Sequence, residues 1–207
     1  MVIAFDLDDT LFKEIDFVRS AYREIARIHG AHLLPGMLNA ASPREAFDST
    51  GLPIEELLEI YRYHKPTIRL PWQSLYTLAS LKNTGHELAI ITDGRSLTQR
   101  NKIEALGLGR FVAPEMILIS GEIGAEKLSG EPFRILMERR PEERFVYVGD
   151  NPAKDFEAAN KLGWETIALN NNGENIHPQN FESVPLPMRP HLRVDSLTEM
   201  LKIVNLE

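Results

Sequence analysis

The feature that most restricts the fold is a rhythm. From residue 72 onward, short apolar runs alternate with longer stretches of helical spacing. Leu88-Ala89-Ile90-Ile91, Met116 to Ile119, Phe145-Val146-Tyr147-Val148 and Thr166-Ile167-Ala168-Leu169 are short and rich in β-branched, aromatic and other apolar residues. That is the pattern of strands covered on both faces of a parallel sheet. Between and around them, Leu75 to Lys82, Ser96 to Leu106, Pro132 to Arg139 and Ala153 to Leu162 read as helices. Gly107 and Gly163 close two of them, as glycine does at helix ends. Asn170 to Pro190 is polar and proline-spotted, which predicts a long loop. Leu192 to Val194 and Ser196 to Val204 supply a last strand and helix. Val2-Ile3-Ala4-Phe5 adds a strand at the start. Strand–helix alternation of this kind requires crossover connections, so the expected fold is α/β with a doubly wound parallel sheet.

The rhythm is interrupted once. After the first strand, Phe17, Ala21, Ile25 and Ile28 lie three or four residues apart and define one apolar helix face. Glu56, Leu57, Leu58, Ile60 and Tyr61 suggest another helix. Pro35-Gly36, Ser42-Pro43 and Gly51-Leu52-Pro53 punctuate the region. The expected organisation is therefore an α/β core from residues 1–12 and 72–207, carrying a helical subdomain over 13–71.

Composition restricts the chemistry. The 207 residues are 43% hydrophobic and 26% charged, enough for a sizeable core and unlike a disordered chain. Without cysteine, disulfides, zinc–thiolate sites and thiol nucleophiles are excluded. A net charge of −7 disfavours a nucleic-acid or acidic-membrane surface, but not a phosphorylated small molecule, since one lysine and a metal ion can set a local field. No basic-then-apolar leader is read at the start, and no apolar run approaches the roughly 20 residues that span a bilayer. A cytoplasmic protein with no membrane partner is expected; the oligomeric state is not legible.

Open parallel sheets bind ligands beyond the carboxyl ends of their strands, and here those ends are polar. The first is followed by Asp6-Leu7-Asp8-Asp9-Thr10, the second by Thr92, Asp93 and Gly94, and the fourth by Gly149, Asp150 and Asn151, with Asp155 a turn further on. After the third strand lies the Ser120 to Lys127 segment with its single lysine. Carboxylates alone would repel a phosphate ester. Mg²⁺ held by Asp6 and Asp150, with the Lys127 ammonium, would reverse that field. Asp6 is then placed to attack phosphorus. Asp8 would hand a proton to the leaving oxygen and later take one from water, and nearby anions would favour its protonated form. Thr92, with the N–H groups of Asp93 and Gly94, would hold phosphoryl oxygens.

These residues in this order resemble the haloacid dehalogenase superfamily, on its phosphatase side. Asp6-Leu7-Asp8-Asp9-Thr10 is similar to the family's first motif, Thr92 to the second, Lys127 to the third, and Gly149-Asp150-Asn151 with Asp155 to the fourth. The stretch between the first two motifs is similar to the small inserted cap. The resemblance implies a Mg²⁺-dependent phosphatase that acts on a small phosphorylated metabolite, of nucleotide or sugar phosphate class, through an aspartyl-phosphate. It also implies metal binding by Asp6, the Asp8 backbone carbonyl and Asp150, with Asp155 supporting the site directly or through water or Lys127. Departures are local: Lys127 is followed by Leu128-Ser129-Gly130 where many relatives have proline, and Asp93 replaces an asparagine frequent in nucleotidase-like relatives.

Other readings compete. Dehalogenases use the same nucleophile without needing Asp8 or Mg²⁺, and a phosphomutase would use the same site. A receiver-like phosphoacceptor module also joins Asp, Thr and Lys, but places its acceptor after a later strand and lacks an inserted cap. Asp155 reads equally as a helix start with a favourable dipole interaction. Arg44, His64, Lys65 and Arg69, in or beside the cap, read as surface charges.

Overall fold

The computed structural model describes residues 1–141 and 143–204. The strand β1 (Val2–Phe5) leads into a helical excursion of α1 (Glu14–His29), α2 (Leu34–Asn39), α3 (Pro43–Asp48) and α4 (Ile54–Tyr63). The chain then returns through α5 (Trp72–Asn83) to β2 (Glu87–Thr92), α6 (Ser96–Ala105), β3 (Ile117–Ile119), a short α7 (Ser120–Ile123) and α8 (Glu131–Arg139). It ends with β4 (Phe145–Gly149), α9 (Glu157–Lys161), β5 (Glu165–Leu169), β6 (Leu192–Val194) and α10 (Leu197–Val204).

The strands form one sheet in the order β3-β2-β1-β4-β5-β6, every neighbouring pair parallel. This is the doubly wound α/β arrangement, with the strand order reversing at β1. Ala4 pairs with Ala89 on one side and Tyr147 on the other, so β1 sits between β2 and β4 and is buried along its length. The apolar runs form strands because helices cover both faces and leave no solvent side to alternate toward. Phe133 packs edge to face against Tyr147 of β4 and against Trp164, with ring centroids 5.1 Å apart in both pairs.

The excursion has an apolar cluster of its own. Val18, Tyr22, Ile25 and Ala26 of α1 meet Met37, Ala46, Phe47 and Leu57, while Phe17 on the same helix joins the cluster around the sheet. Ile28, expected on the buried face of α1, lies in its last turn and is 48% exposed. Pro35, read as a break, stands in the first turn of α2, where its missing N–H costs nothing. His64 is not a surface charge. It is buried, with Nδ1 3.0 Å from the Tyr61 carbonyl and Nε2 3.2 Å from Ser20 Oγ, and burial lowers its pKa.

One helix differs from expectation. The stretch from Ala153 is not helical until Glu157. Residues 152–156 turn instead, because the Asp155 carboxylate folds back onto the N–H groups of Asp150 and Asn151 at 3.0 and 2.7 Å. Side-chain capture of backbone donors competes with helix formation.

Candidate active site

The carboxyl ends of β1, β2 and β4 open into a cleft of about 180 Å³. Asp6, Asp8, Thr92, Asp93, Lys127, Asp150 and Asp155 all line it, although they come from distant parts of the chain. Glu14, Asn151, Lys154 and His177 complete much of the wall.

Asp6 follows β1 directly, and its N–H continues the ladder by donating to the Val148 carbonyl at 2.8 Å. Its Oδ1 lies 2.7 Å from Lys127 Nζ. The same ammonium donates to Asp155 Oδ1 at 2.7 Å. Burial works against the charge on Lys127, but Asp155 and Asp6 together keep it protonated. Burial raises the pKa of Asp6, with Asp155 and Asp150 adding to the effect and Lys127 opposing it. Burial also pushes the Asp150 carboxyl up to about 7, helped by the Asp155 and Asp9 anions.

Asp155 is fully buried and its oxygens are occupied. Oδ1 accepts from Lys127 and from the Tyr147 hydroxyl at 3.2 Å, and Oδ2 from the two backbone N–H groups already described. Gly149 makes the fold-back possible, since a Cβ there would meet Asp155 Oδ2 at 2.6 Å. Asp155 thus precedes a helix instead of starting one.

The second strand end differs in detail from expectation. Thr92 Oγ1 accepts from Gln99 Nε2 at 2.7 Å, which leaves the hydroxyl proton to donate toward the cleft. The Asp93 carboxylate turns to accept the Lys127 N–H at 3.1 Å. Gly94 does not line the cleft, and its N–H, expected to face phosphoryl oxygens, donates to Ser120 Oγ at 2.9 Å.

Three contributors were not legible in the sequence. Gln99 and Lys102 lie on one face of α6 and reach Asp8, Lys102 Nζ standing 2.7 Å from Oδ1, so a cation stands beside Asp8 where only anions were expected. Their spacing beside Ile103 on a helix packed against the sheet was the available signal, two polar residues on an otherwise buried face. Asn175 gave none. It comes from the long loop after β5, donates to Asp150 Oδ2 at 2.8 Å and accepts from Lys13 Nζ at 2.6 Å. Asp9 is the described non-glycine residue with positive φ, at 56°. Its carboxylate accepts the Glu14 N–H at 3.0 Å and the Ile176 N–H at 2.9 Å, tying α1 and the long loop to the strand end.

A divalent cation fits this donor set. One carboxylate oxygen each from Asp6, Asp150 and Asp155 lies within 4.8 Å of the others. Asp6 and Asp150 are hard oxygen donors suited to such an ion, while the oxygens of Asp155 already accept from Lys127, Tyr147 and the backbone. The raised pKa values of Asp6 and Asp150 mark a surplus of buried negative charge that a cation would relieve.

Comparison with known proteins gives the family. The family model described as haloacid dehalogenase-like hydrolase matches residues 3–169. The chain is 29% identical over 202 residues to the glyceraldehyde 3-phosphate phosphatase of Methanocaldococcus jannaschii, covering 81% of this chain and 83% of the relative. It is 31% identical over 163 residues to the phosphoserine phosphatase of Thermus thermophilus, covering 76% of this chain and 61% of the relative. Among solved structures, a HAD phosphatase from Thermococcus onnurineus superimposes with a TM-score of 0.64 at 24% identity, covering 98% of this chain and 97% of that one. Among the described residues, no helix is long and apolar enough to cross a membrane.

Proposed function

The chain belongs to the haloacid dehalogenase-like hydrolases and is a hydrolase of phosphate esters, and from that premise we propose that it is a Mg²⁺-dependent phosphatase of a small metabolite phosphate, with Asp6 as nucleophile. The observation that carries this reading is the placement of Asp6 Oδ1 2.7 Å from Lys127 Nζ, beside Asp150 and Asp155, at the open end of the sheet.

Asp6, the Asp8 backbone carbonyl and Asp150 would hold Mg²⁺, which supplies charge neutralisation for the incoming phosphoryl group. Asp155 spends its lone pairs on Lys127, Tyr147 and the backbone, so it supports the site through those partners. Lys127 and the Thr92 hydroxyl hold phosphoryl oxygens as charge builds on them. The Asp6 carboxylate attacks phosphorus, and the bond to the ester oxygen breaks. Asp8, entering the cycle in its protonated form, gives that oxygen its proton, so an alcohol departs. A water molecule then attacks the aspartyl-phosphate while Asp8 takes its proton. The Asp6–phosphorus link breaks, and phosphate and the starting carboxylate are restored.

The cleft favours a short substrate. Its volume is about 180 Å³, and the described residues lining it include no Phe, Tyr or Trp on which a nucleobase would stack. The relatives are named as phosphatases of glyceraldehyde 3-phosphate, phosphoserine and ribulose 1,5-bisphosphate. We therefore place the substrate among short-chain phosphorylated metabolites, with Glu14, Lys154 and His177 facing the non-phosphate part.

Asp6→Asn tests the reading. Mg²⁺-dependent phosphate release from 4-nitrophenyl phosphate should fall by about three orders of magnitude, with the thermal midpoint close to that of the wild type. Near-normal turnover in that variant overturns the assignment. A phosphate-release screen across short-chain metabolite phosphates, with and without Mg²⁺, would identify the preferred ester.

A further inference from the structure

Asp8 differs from the other carboxylates of the cleft in what holds it. Both of its oxygens accept from Lys102 Nζ, at 2.7 and 2.9 Å. Oδ2 also accepts from Gln99 Nε2 at 2.9 Å, and the same amide donates to Thr92 Oγ1 at 2.7 Å. Gln99 and Lys102, one helical turn apart on α6, are both buried, and neither lines the cleft. They reach the reaction through Asp8, Thr92 and the Asp93 carbonyl, which accepts from Gln99 Nε2 at 3.3 Å.

The Lys102 side chain is 4% exposed, and its ammonium lies 4.4 Å from the ring centroid of Phe17 and 5.9 Å from that of Phe12. A lysine this deeply buried needs a fixed anion and polarisable surroundings, which Asp8 and the two rings supply. Phe12 belongs to the segment joining β1 to the excursion, and Phe17 is on α1 itself. One ammonium, carried by α6, therefore meets both the Asp8 carboxylate and Phe17 of α1.

Resting on the acid–base reading of Asp8 given above, we propose that Lys102 is a positioning residue for the reaction. With Gln99 it fixes the rotamer of the Asp8 carboxylate, and Phe17 ties that orientation to the seating of α1 on the core. An aspartate side chain has several staggered wells available. Two or three charge-assisted hydrogen bonds select one of them. Proton transfer to a leaving oxygen depends on such placement, because misplacement by a fraction of an ångström slows it severely.

The experiment compares kcat/KM for 4-nitrophenyl phosphate, a good leaving group, with that for glycerol 3-phosphate, a poor one. The proteins are the wild type, Asp8→Asn, Lys102→Met, Lys102→Arg, Phe17→Leu and the Asp8→Asn/Lys102→Met double variant. Because kcat/KM reports the steps up to phosphoryl transfer, a lost proton donor harms the alkyl ester far more than the aryl ester. Lys102→Met should lower kcat/KM for the alkyl ester about tenfold or more, and for the aryl ester by less than about threefold. Lys102→Arg should recover part of the difference. Lys102→Met should add nothing to the selectivity change in the Asp8→Asn background. Phe17→Leu, which leaves α6 unchanged, should shift the ratio about threefold in the same direction.

Equal losses on both esters in Lys102→Met, or additive effects in the double variant, overturn the proposal and leave Lys102 a support of the fold. If Lys102→Met does not fold, an unchanged ester ratio in both Lys102→Arg and Phe17→Leu overturns it as well. A leaving-group effect in Asp8→Asn that is absent from the Lys102 variants defeats the positioning role alone. Its absence in Asp8→Asn defeats the acid–base reading itself, and the positioning role with it.

Discussion

The fully buried carboxylate of Asp155 accepts from Lys127 Nζ, the Tyr147 hydroxyl and the N–H groups of Asp150 and Asn151. Removing it would leave two buried N–H groups without partners and the Lys127 ammonium with Asp6 alone. Each of these is costly in a low-dielectric interior. Asp155→Ala should therefore lose about 3 kcal/mol of folding stability in urea titrations, together with most of the phosphatase activity. Asp155→Asn preserves the volume but turns an amide N–H₂ toward groups that are already donors, so it should not restore the wild-type midpoint. A variant with unchanged stability would show that water replaces these bonds without loss. Asp93 gives the contrasting case. Its carboxylate is spent on the Lys127 N–H, so it fixes the segment that carries the lysine.

Two elements without regular structure shape the site as much as the strands do. The turn after β1 holds Asp9 in the left-handed region, at a φ of 56°, which aspartate tolerates better than most residues. From there its carboxylate binds the first N–H of α1 and the Ile176 N–H of the long loop. Asp9→Ala loses both bonds and meets backbone strain, and should lower stability by about 2 kcal/mol with a matching fall in thermal midpoint. The long loop brings Asn175 to Asp150 Oδ2 and Gln179 to the Asp150 carbonyl, the latter at 2.6 Å. Asn175→Ala should keep the fold but raise the Mg²⁺ concentration needed for half-maximal activity about tenfold, as loss of a partner behind a metal ligand does. An unchanged Mg²⁺ requirement would remove the loop from that role.

Across the molecule, the site concentrates buried negative charge. Burial raises Asp6, Asp9, Glu14 and Asp150 above their ordinary values, Glu14 and Asp150 each to about 7. A carboxyl group with a raised folded pKa binds more protons folded than unfolded. Its stabilising contribution is full below the unfolded value and disappears as pH rises through the folded one. The metal-free protein should therefore lose stability between about pH 4 and 8. His64, with its lowered pKa, opposes this trend below 6.5, and Glu24 and Glu122, lowered by their hydrogen bonds to Arg27 and Arg100, oppose it below about 4.5. Mg²⁺ requires ionised ligands and stabilises the state that binds it. Its effect on the thermal midpoint should be larger at pH 8 than at pH 5, which scanning fluorimetry with Mg²⁺ and with chelator measures directly. Equal shifts at the two pH values would count against a metal site built on Asp6 and Asp150.

The parallel sheet was legible because its signals are local. Short apolar runs, helical spacing and closing glycines each occupy a few residues, and crossover geometry then sends Asp6, Thr92 and Asp150 to one edge. Which atoms meet at that edge was decided by contacts far apart in the chain. Lys102 and Asp8 are separated by 94 residues, Asn175 and Lys13 by 162. No periodicity encodes such pairings, because they depend on how buried charges find partners once water has been excluded. The same cause cut short the helix expected from Ala153, where a buried carboxylate outcompeted the helical ladder. From the sequence alone come the sheet and the kinds of group at its edge; the tertiary structure decided that Asp8 is held by Lys102 and Gln99, because only packing of α6 against the sheet and α1 brings that ammonium and amide within reach.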